Sequence, residues 1–296
     1  MKILCITRNK PKLNCHELWK RDLCNLSDVY FLGKGYPECN SLNKVIKELK
    51  IECLLICGLP TSDYLYRDFS KLDVFKVNIL FDYHILEDGS TYKEYDNFLE
   101  RNNFDLLFAH NNLVLDRLKD KYNVRMTKLS VPPFLYGIQF RDVDVMSSGS
   151  TNVRFYKGRK ELNRFLKNIK QIHILTKIMK YEDYLRYLEK SKLFVNKGNS
   201  FITDCVSLKY LECMVSGTLL ITTRPANLDE YGFVDGKHLI IYNDFDDLEE
   251  KIFYYLENEY EREQIVKNSM IYVWNNFTND IVIKKMLRDI NECKGN

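Results

Sequence analysis

Short apolar segments alternate with amphipathic segments along most of this 296-residue chain. The runs Lys2–Thr7, Cys53–Cys57 and Leu106–Ala109 have the length of buried strands, and segments with helical spacing of apolar residues lie between such runs. Strands that are apolar on both faces are typical of parallel sheets covered by helices on both sides. The pattern therefore predicts an α/β fold built on parallel sheets.

The alternation stops at Pro132 and Pro133 and starts again after a linker that runs through Arg141. A length of 296 residues suits two domains of about 150 residues, each able to bury its own core. We therefore predict two doubly wound, Rossmann-like domains, 1–136 and 137–272. Ligands of such domains bind at the carboxyl ends of the strands, so we expect the site in a cleft between the two.

The end of the chain is amphipathic and helical in pattern over 261–290. This segment is long enough to leave the second domain. We therefore expect residues 273–296 to form a C-terminal helix that packs back on the first domain.

Composition excludes several classes of protein. With 45% hydrophobic and 29% charged residues the chain is typical of soluble globular proteins, and no apolar run approaches the roughly 20 residues that cross a bilayer. The first apolar run is too short for a secretion signal, which predicts a cytoplasmic protein without a transmembrane segment. Nine cysteines without Cys-x-x-Cys spacing argue against a disulfide framework or a zinc site.

The stretch from Asp204 to Gly217 places two carboxylates beside one short helix. Apolar residues at helical spacing predict a helix over 207–216, with Asp204 before it and Glu212 on its second turn. Free N–H groups and the positive end of the helix dipole bind phosphate at a helix N-terminus. A nucleotide sugar would find a diphosphate site there with a carboxylate on either side. An ordinary amphipathic helix explains the same pattern, and the helix alone favours that explanation.

Five segments of the second half, taken in their order along the chain, carry a resemblance to a known family. They are Asp144-Val-Met-Ser-Ser-Gly149-Ser, Tyr184 to Asn196, Ser207-Leu-Lys-Tyr-Leu-Glu212-Cys-Met-Val-Ser-Gly217, Glu230-Tyr-Gly-Phe-Val-Asp-Gly236 and Leu256 to Arg262. From Asp142 to about Leu287 the chain resembles the retaining, family 4-like GT-B glycosyltransferases, in which an acid, seven residues and a second acid mark the donor site. The first acid, usually Glu in that family, is Asp204 here, and Arg8 to Leu13 lacks the family's glycine pair.

The resemblance implies roles around the helix start. Glu212 would accept hydrogen bonds from the donor ribose, although an acid in this half of a helix also stabilises the helix dipole. Asp204 would contact hydroxyls of the transferred sugar, or act only as an N-terminal acid of the helix. Backbone N–H groups of Ser207 and Leu208 would bind the diphosphate, which is compatible with simple capping.

The same resemblance assigns the neighbouring loops. Gly149 would let the backbone approach phosphate, and a plain turn explains it equally well. Charge would come from three basic residues nearby, Arg154, Lys157 and Arg159. The nucleobase would bind along Lys177 to Tyr181, with Tyr181 as the stacking side chain.

Polar residues in the first half follow predicted strands. Asp82 and His84 come after the run Val77–Phe81, and His110 follows Leu106–Ala109. At strand ends that face the cleft, Asp82 and His84 are candidate catalytic residues and His110 a candidate acceptor residue. Exposed loop residues are the more frequent outcome for such positions.

The sequence offers no good metal site. Asp142-Val-Asp144 looks like the Asp-x-Asp of the other large glycosyltransferase fold, but it precedes a strand instead of following one. We therefore expect no metal and no cofactor beyond the nucleotide-sugar co-substrate.

The resulting hypothesis is a retaining, hexosyltransferase-like enzyme that moves a sugar from a UDP- or GDP-sugar to a hydroxyl of a glycan, lipid, protein or modified DNA base. One alternative is a phage-type DNA glycosyltransferase acting on a hydroxymethylated base, for which the basic face of Lys160, Arg164 and Lys167 would be relevant. Others are a sugar-nucleotide epimerase or hydrolase, and a non-catalytic nucleotide-sugar binder.

Overall fold

The computed structural model describes residues 1–7, 15–36, 39, 41–57, 68–80, 93–132, 140–149, 153–197 and 205–295. The chain forms two compact units. The first consists of Met1–Pro132 together with Asn279–Asn296, and the second is Pro133–Thr278. The last helix of the chain therefore belongs to the first unit.

The first unit is built on a six-stranded parallel sheet with the order β2-β1-β3-β4-β5-β6. Its strands are β1 Lys2–Ile6, β2 Asp28–Leu32, β3 Cys53–Cys57, β4 Phe75–Ile79, β5 Leu106–Ala109 and β6 Val124–Met126. Its helices are α1 Cys15–Leu26, α2 Leu42–Leu49, α3 Lys93–Asn102, α4 Asn112–Leu118 and α10 Asn279–Gly295.

Both faces of this sheet are buried, as the apolar strands predict. In β3, Leu54 belongs to the core under α2, α3 and α4, whereas the next residue, Leu55, belongs to the core under α1 and α10. Successive strand residues point to opposite faces, so each strand contributes to both cores. Asn279 Nδ2 donates to Asp22 Oδ2 at 2.7 Å and ties the start of α10 to α1.

The second unit has a five-stranded parallel sheet with the order β11-β10-β9-β7-β8. Its strands are β7 Val143–Ser147, β8 Ile174–Thr176, β9 Ser191–Asn196, β10 Leu219–Thr222 and β11 Ile240–Ile241. Its α-helices are α5 Val153–Leu166, α6 Tyr181–Glu189, α7 Leu208–Val215, α8 Phe245–Glu257 and α9 Glu259–Asn276.

Counted from its own first strand, each sheet begins with the order 2-1-3-4-5. The strand order reverses between the first and third strand, and ligands of such sheets bind at that point, outside the carboxyl ends. In the second unit these strands are β7 and β9. The α/β fold class predicted from the sequence is confirmed.

Three elements differ from the sequence prediction. Helix α1 was not predicted, because its stretch is rich in charged residues, yet Trp19 and Leu23 give it a buried face with helical spacing. The sequence predicts the sixth strand of the first half over 127–129, whereas strand β6 lies at Val124–Met126. The predicted single helix over 261–290 is two helices, and the break precedes Asn279, whose backbone N–H donates to Val131 O at 2.7 Å.

No helix among the described residues is both long enough and apolar enough to cross a membrane.

The packing of α10 predicts the effect of a single truncation. Ile283 is fully buried against α1 and the sheet, whereas Ile281 on the same helix is 37% exposed. Ile283→Ala should lower the free energy of unfolding by about 2–4 kcal/mol, because it leaves a cavity. Ile281→Ala, the matched control, should change it by less than about 0.5 kcal/mol. Denaturant unfolding of both variants checks this, and equal effects would contradict the packing of α10.

Candidate functional site

Helix α7 connects β9 to β10 and is almost entirely buried from Tyr210 to Val215. Tyr210 packs its ring into the core, and its hydroxyl lies 2.8 Å from Oγ1 of Thr222 at the end of β10. Sγ of Cys213 donates to the carbonyl of Thr218 at 3.2 Å. The helix is therefore fixed on its sheet.

The carboxyl end of α7 is held by a half-buried arginine. Nη1 of Arg141 donates to Ser191 O at 2.5 Å and Nη2 donates to Ser216 O at 3.2 Å. A cation at a helix C-terminus satisfies free carbonyls and interacts favourably with the helix dipole. Gly217 provides the space, because a Cβ there would lie 2.6 Å from Nη2 of Arg141.

The side-chain hydrogen bonding at the amino end of α7 differs from that at the carboxyl end, where Arg141 donates to a backbone carbonyl. Its N-cap, Ser207, makes no side-chain capping hydrogen bond. The N-caps Ser41 of α2, Asn111 of α4 and Asp244 of α8 each accept a backbone N–H. The first-turn N–H groups of a helix have no partner within the helix, so the start of α7 can bind an anion without first losing a side-chain cap.

Glu212 on the second turn of α7 is a buried carboxylate, with 5% of its surface exposed. Its Oε1 accepts a hydrogen bond of 2.7 Å from the hydroxyl of Tyr181, at the start of α6. Burial raises the pKa of the Glu212 carboxyl, and the charge of Lys209 and the Tyr181 hydrogen bond oppose that rise. Burial and the nearby carboxylate together raise the pKa of Tyr184.

Two cations converge beside this helix start. Gly149, after β7, has a φ of +139°, and a Cβ there would lie 2.7 Å from Nη1 of Arg159 and 3.3 Å from Cε of Lys209. Arg159 comes from α5 and is 6% exposed, whereas Lys209 belongs to the first turn of α7. Nζ of Lys209 lies 4.2 Å from the ring centroid of Tyr184. The glycine thus lets two basic side chains meet at the switch point of the sheet.

The segment that leads into α7 is fixed by Asn227, which follows β10 in the chain. Its Oδ1 accepts the backbone N–H of Val206 at 2.7 Å. Val206 immediately precedes the N-cap Ser207. Asn227 therefore sets the direction from which the chain enters the helix.

These groups favour one kind of ligand. A helix N-terminus with two adjacent cations binds an anion such as a diphosphate, and the basic side chains supply charge-assisted hydrogen bonds. A buried carboxylate accepts hydrogen bonds from hydroxyl groups, of which a ribose has two. The arrangement can therefore bind a molecule that carries both a diphosphate and a sugar.

The structure brings together most of the predicted donor-site residues that it describes, namely Gly149, Arg159, Ser207, Leu208, Tyr181 and Glu212. Lys177 differs, because its side chain is exposed and its Nζ lies 5.4 Å from the ring centroid of Tyr187. The backbone carbonyl of Lys177 accepts from Ser148 Oγ at 2.9 Å, which ties this segment to the end of β7.

Several predicted site residues are not described. Asp204, Asp82 and His84 lie outside the described residues. Arg154 and Lys157 lie on α5, but their side chains are outside the description. Their proposed roles stay predictions.

His110, the predicted acceptor residue, is buried at the end of β5. Its Nδ1 lies 3.1 Å from Leu80 O, which can only accept, so Nδ1 carries the proton. Nε2 then accepts from Asn111 Nδ2 at 3.1 Å. Both ring nitrogens therefore have partners inside the first unit, and an acceptor hydroxyl would have to displace one of them.

Sequence reasoning missed Lys209, Asn227 and His16 as site residues. Lys209 follows the predicted helix start directly, which was the available signal for a phosphate-binding lysine. Asn227 lies in a loop 15 residues after Glu212 and gives no local signal. His16 Nε2 lies 2.6 Å from Oγ1 of Thr7 at the carboxyl end of β1, and recognising it required predicting α1.

Within the described ranges, no three His, Cys, Asp or Glu side chains converge as a metal site requires. Oδ1 of Asp144 lies 2.7 Å from Nζ of Lys192, and its Oδ2 accepts the backbone N–H of His173 at 2.9 Å. These bonds give Asp144 a structural role at the start of β7.

Residues 145–288 match the family model described as Glycosyl transferase-like. The match covers the second unit from β7 onward and extends into α10. No curated protein sequence matches the chain.

Solved glycosyltransferase structures share the fold at low sequence identity. Anabaena HepE in complex with UDP-glucose has a TM-score of 0.70 at 13% identity and covers 99% of this chain and 100% of its own. Sucrose-phosphate synthase from Thermosynechococcus elongatus has a TM-score of 0.68 at 10% identity, with 99% of each chain covered. TarM has a TM-score of 0.62 at 12% identity and covers 84% of this chain, which spans 57% of TarM.

The two sheets and their helices match those of GT-B glycosyltransferases. Together with the family match, this fold supports a glycosyltransferase enzyme.

The buried carboxylate predicts a pH-dependent stability. Because the pKa of Glu212 is raised on folding, the native state binds its proton more tightly than the unfolded chain does. The free energy of unfolding should therefore fall as pH rises from the unfolded pKa of about 4.3 through the folded pKa. Glu212→Gln keeps an oxygen that accepts from Tyr181 but cannot ionise, so its free energy of unfolding does not fall in this way. The variant should therefore be more stable than the wild type at pH 7 and not at pH 4. Urea unfolding at both pH values measures the difference, and a less stable variant at pH 7 would contradict it.

Proposed function

We propose, from the glycosyltransferase-like match and the site around α7, that the chain is a retaining glycosyltransferase that transfers a sugar from a nucleotide-sugar donor to a hydroxyl acceptor. The observation that carries the proposal is the meeting of Arg159, Lys209 and the uncapped start of α7 next to the buried Glu212. The donor is a UDP-sugar in this proposal, since HepE, which shares the fold, binds UDP-glucose.

In the proposed complex the second unit binds the donor. The diphosphate lies at the start of α7, where backbone N–H groups, Arg159 and Lys209 neutralise its charge. The ribose hydroxyls donate to Glu212, and the proposal assigns Asp204, from the sequence alone, to the hydroxyls of the transferred sugar. These residues hold the donor in one orientation, which is a large part of what an enzyme contributes to group transfer.

The reaction breaks the bond between the anomeric carbon and the diphosphate oxygen. Negative charge grows on the leaving diphosphate, so cations and N–H groups already in place stabilise the transition state more than the bound donor. The acceptor hydroxyl attacks from the same face, its proton passes to the departing phosphate oxygen, and the anomeric configuration is retained. No strong base on the protein is needed for this step.

In this proposal the first unit binds the acceptor molecule. Asp82 and His84 are the candidate catalytic residues, and His110 is the candidate acceptor-binding residue. His16 joins them, because it lies at the carboxyl end of β1, at the point where the strand order of that sheet reverses. The proposed localisation is cytoplasmic.

A panel of nucleotide sugars tests the activity. The purified chain is incubated with UDP-glucose, UDP-N-acetylglucosamine and GDP-mannose, with and without pooled glycan, lipid and DNA acceptors, and nucleotide release is measured. A transferase releases nucleotide faster with one acceptor pool, whereas a hydrolase or epimerase acts equally without acceptor. Absence of both binding and release for every donor would contradict the proposal.

Lys209→Met should weaken binding of UDP by about 10-fold to 100-fold, the effect of losing one charge-assisted contact to phosphate. Lys160→Met is the matched control, because Lys160 is an exposed cation one residue beyond Arg159 on α5. Isothermal titration calorimetry of both variants and the wild type measures the affinities. Equal effects of the two substitutions would mean that only general charge matters and would remove Lys209 from the site.

Glu212→Ala should weaken donor binding by about 1–3 kcal/mol, because the ribose loses a charged hydrogen-bond acceptor. Glu189→Ala provides a control, since Glu189 is also a buried acid of the second unit but lies at the end of α6. The comparison uses dissociation constants measured at one pH, and unchanged affinity in Glu212→Ala would remove Glu212 from the donor site.

A DNA acceptor is the second candidate, and one observation favours it. Lys160, Arg164 and Lys167 are exposed on one face of α5 and its continuation, and none of them forms an ion pair with another described residue. Transfer to DNA that contains hydroxymethylated bases would then fall steeply with added salt, because phosphate contacts release counterions. Transfer that is insensitive to salt between 50 and 200 mM, roughly the range over which such contacts weaken, would exclude this acceptor.

A further inference from the structure

Asn227 uses only part of its hydrogen-bonding capacity. The side chain is 2% exposed, and its Oδ1 accepts the backbone N–H of Val206 at 2.7 Å. Its Nδ2, which carries two N–H donors, has no hydrogen-bond partner among the described residues. A buried donor without a partner is unfavourable, and native proteins rarely keep one without a reason.

The position of this donor gives a reason. Asn227 contacts the short segment Val206–Ser207, because its Oδ1 accepts the backbone N–H of Val206, the residue before the N-cap Ser207. That segment leads directly into the eight-residue helix α7, whose cap makes no side-chain bond. The unpartnered Nδ2 and the N-cap without a side-chain bond are independent observations, and the hydrogen bond between Asn227 and Val206 places them next to each other.

A second buried asparagine shows what a purely structural amide looks like. Asn102 is also fully buried, and its Oδ1 accepts the backbone N–H of Phe69 at 2.6 Å. Its Nδ2, however, donates to Phe98 O at 2.8 Å. Asn102 thus supports the backbone as Asn227 does, but its Nδ2 has an acceptor within the protein.

We propose that Nδ2 of Asn227 donates a hydrogen bond to an oxygen of the bound nucleotide sugar. This rests on the proposed function, and it assigns Asn227 to the donor site alongside Lys209 and Glu212. The oxygen belongs either to the diphosphate or to a hydroxyl of the transferred sugar, since both accept hydrogen bonds. While the ligand is bound, both polar atoms of the amide have a partner, with Val206 N–H on Oδ1 and the donor molecule on Nδ2.

Two substitutions separate this role from simple support of the backbone. Asn227→Asp keeps an oxygen for the Val206 N–H and removes the donor, while Asn227→Ala removes both the donor and that oxygen without adding charge. Asn102→Asp is the matched control, because it introduces the same buried carboxylate at an amide with no role in binding. Thermal unfolding of each variant without ligand reports the purely structural cost.

The test measures dissociation constants for UDP-glucose and UDP, or for GDP-mannose and GDP if the panel selects a guanosine donor. Both Asn227 variants should bind the nucleotide sugar roughly 10-fold more weakly, and Asn102→Asp should bind it as the wild type does. Equal losses for the nucleotide sugar and the nucleoside diphosphate assign the contact to the diphosphate. A loss confined to the nucleotide sugar assigns it to the sugar.

Three outcomes would overturn the inference. They are unchanged affinity in both Asn227 variants, a loss in Asn227→Asp alone, which would indicate charge repulsion, and an equal loss in Asn102→Asp. If the wild-type protein binds no nucleotide sugar of the panel, the proposed function itself fails and this inference falls with it. A wild type that binds its donor normally while both Asn227 variants do the same would overturn the inference alone.

Discussion

Helix α7 is held by the protein along its length and at its carboxyl end, and this asymmetry organises the second unit. Arg141 satisfies carbonyls at one end, and Tyr210 and Cys213 bond the helix to the strand that follows it. At the amino end, the N-cap residue Ser207 makes no side-chain capping hydrogen bond. The partial positive charge of the helix dipole is therefore available to a ligand, and the helix does not have to move to present it.

The charged side chains around this helix lower the stability of the folded protein. Glu212 is a carboxylate in a buried position, and Arg159 and Lys209 approach each other closely at Gly149. Groups of this kind are unfavourable for stability and are kept where a ligand needs them.

The sequence predicted the parallel sheets and most helix positions, because apolar strands and helical spacing are local signals. It also led to Glu212 and Gly149 as candidate site residues, because they belong to recognisable spacings along the chain. It missed α1, since the buried face of Trp19 and Leu23 is hidden among charged residues. It could not identify Asn227, whose partner Val206 is 21 residues away and is brought near only by the folded sheet. The bond between Tyr181 and Glu212 depends in the same way on two helices meeting in space.

The first unit closes only with a segment from the far end of the chain. Helix α10 packs on α1, and Asn279 bonds to Asp22 across a separation of 257 residues. On the ribosome, the second unit is complete in sequence before α10 has been synthesised. Ile3, Trp19 and their neighbours therefore keep an apolar face uncovered until α10 has been synthesised, and the first unit can complete its core only then.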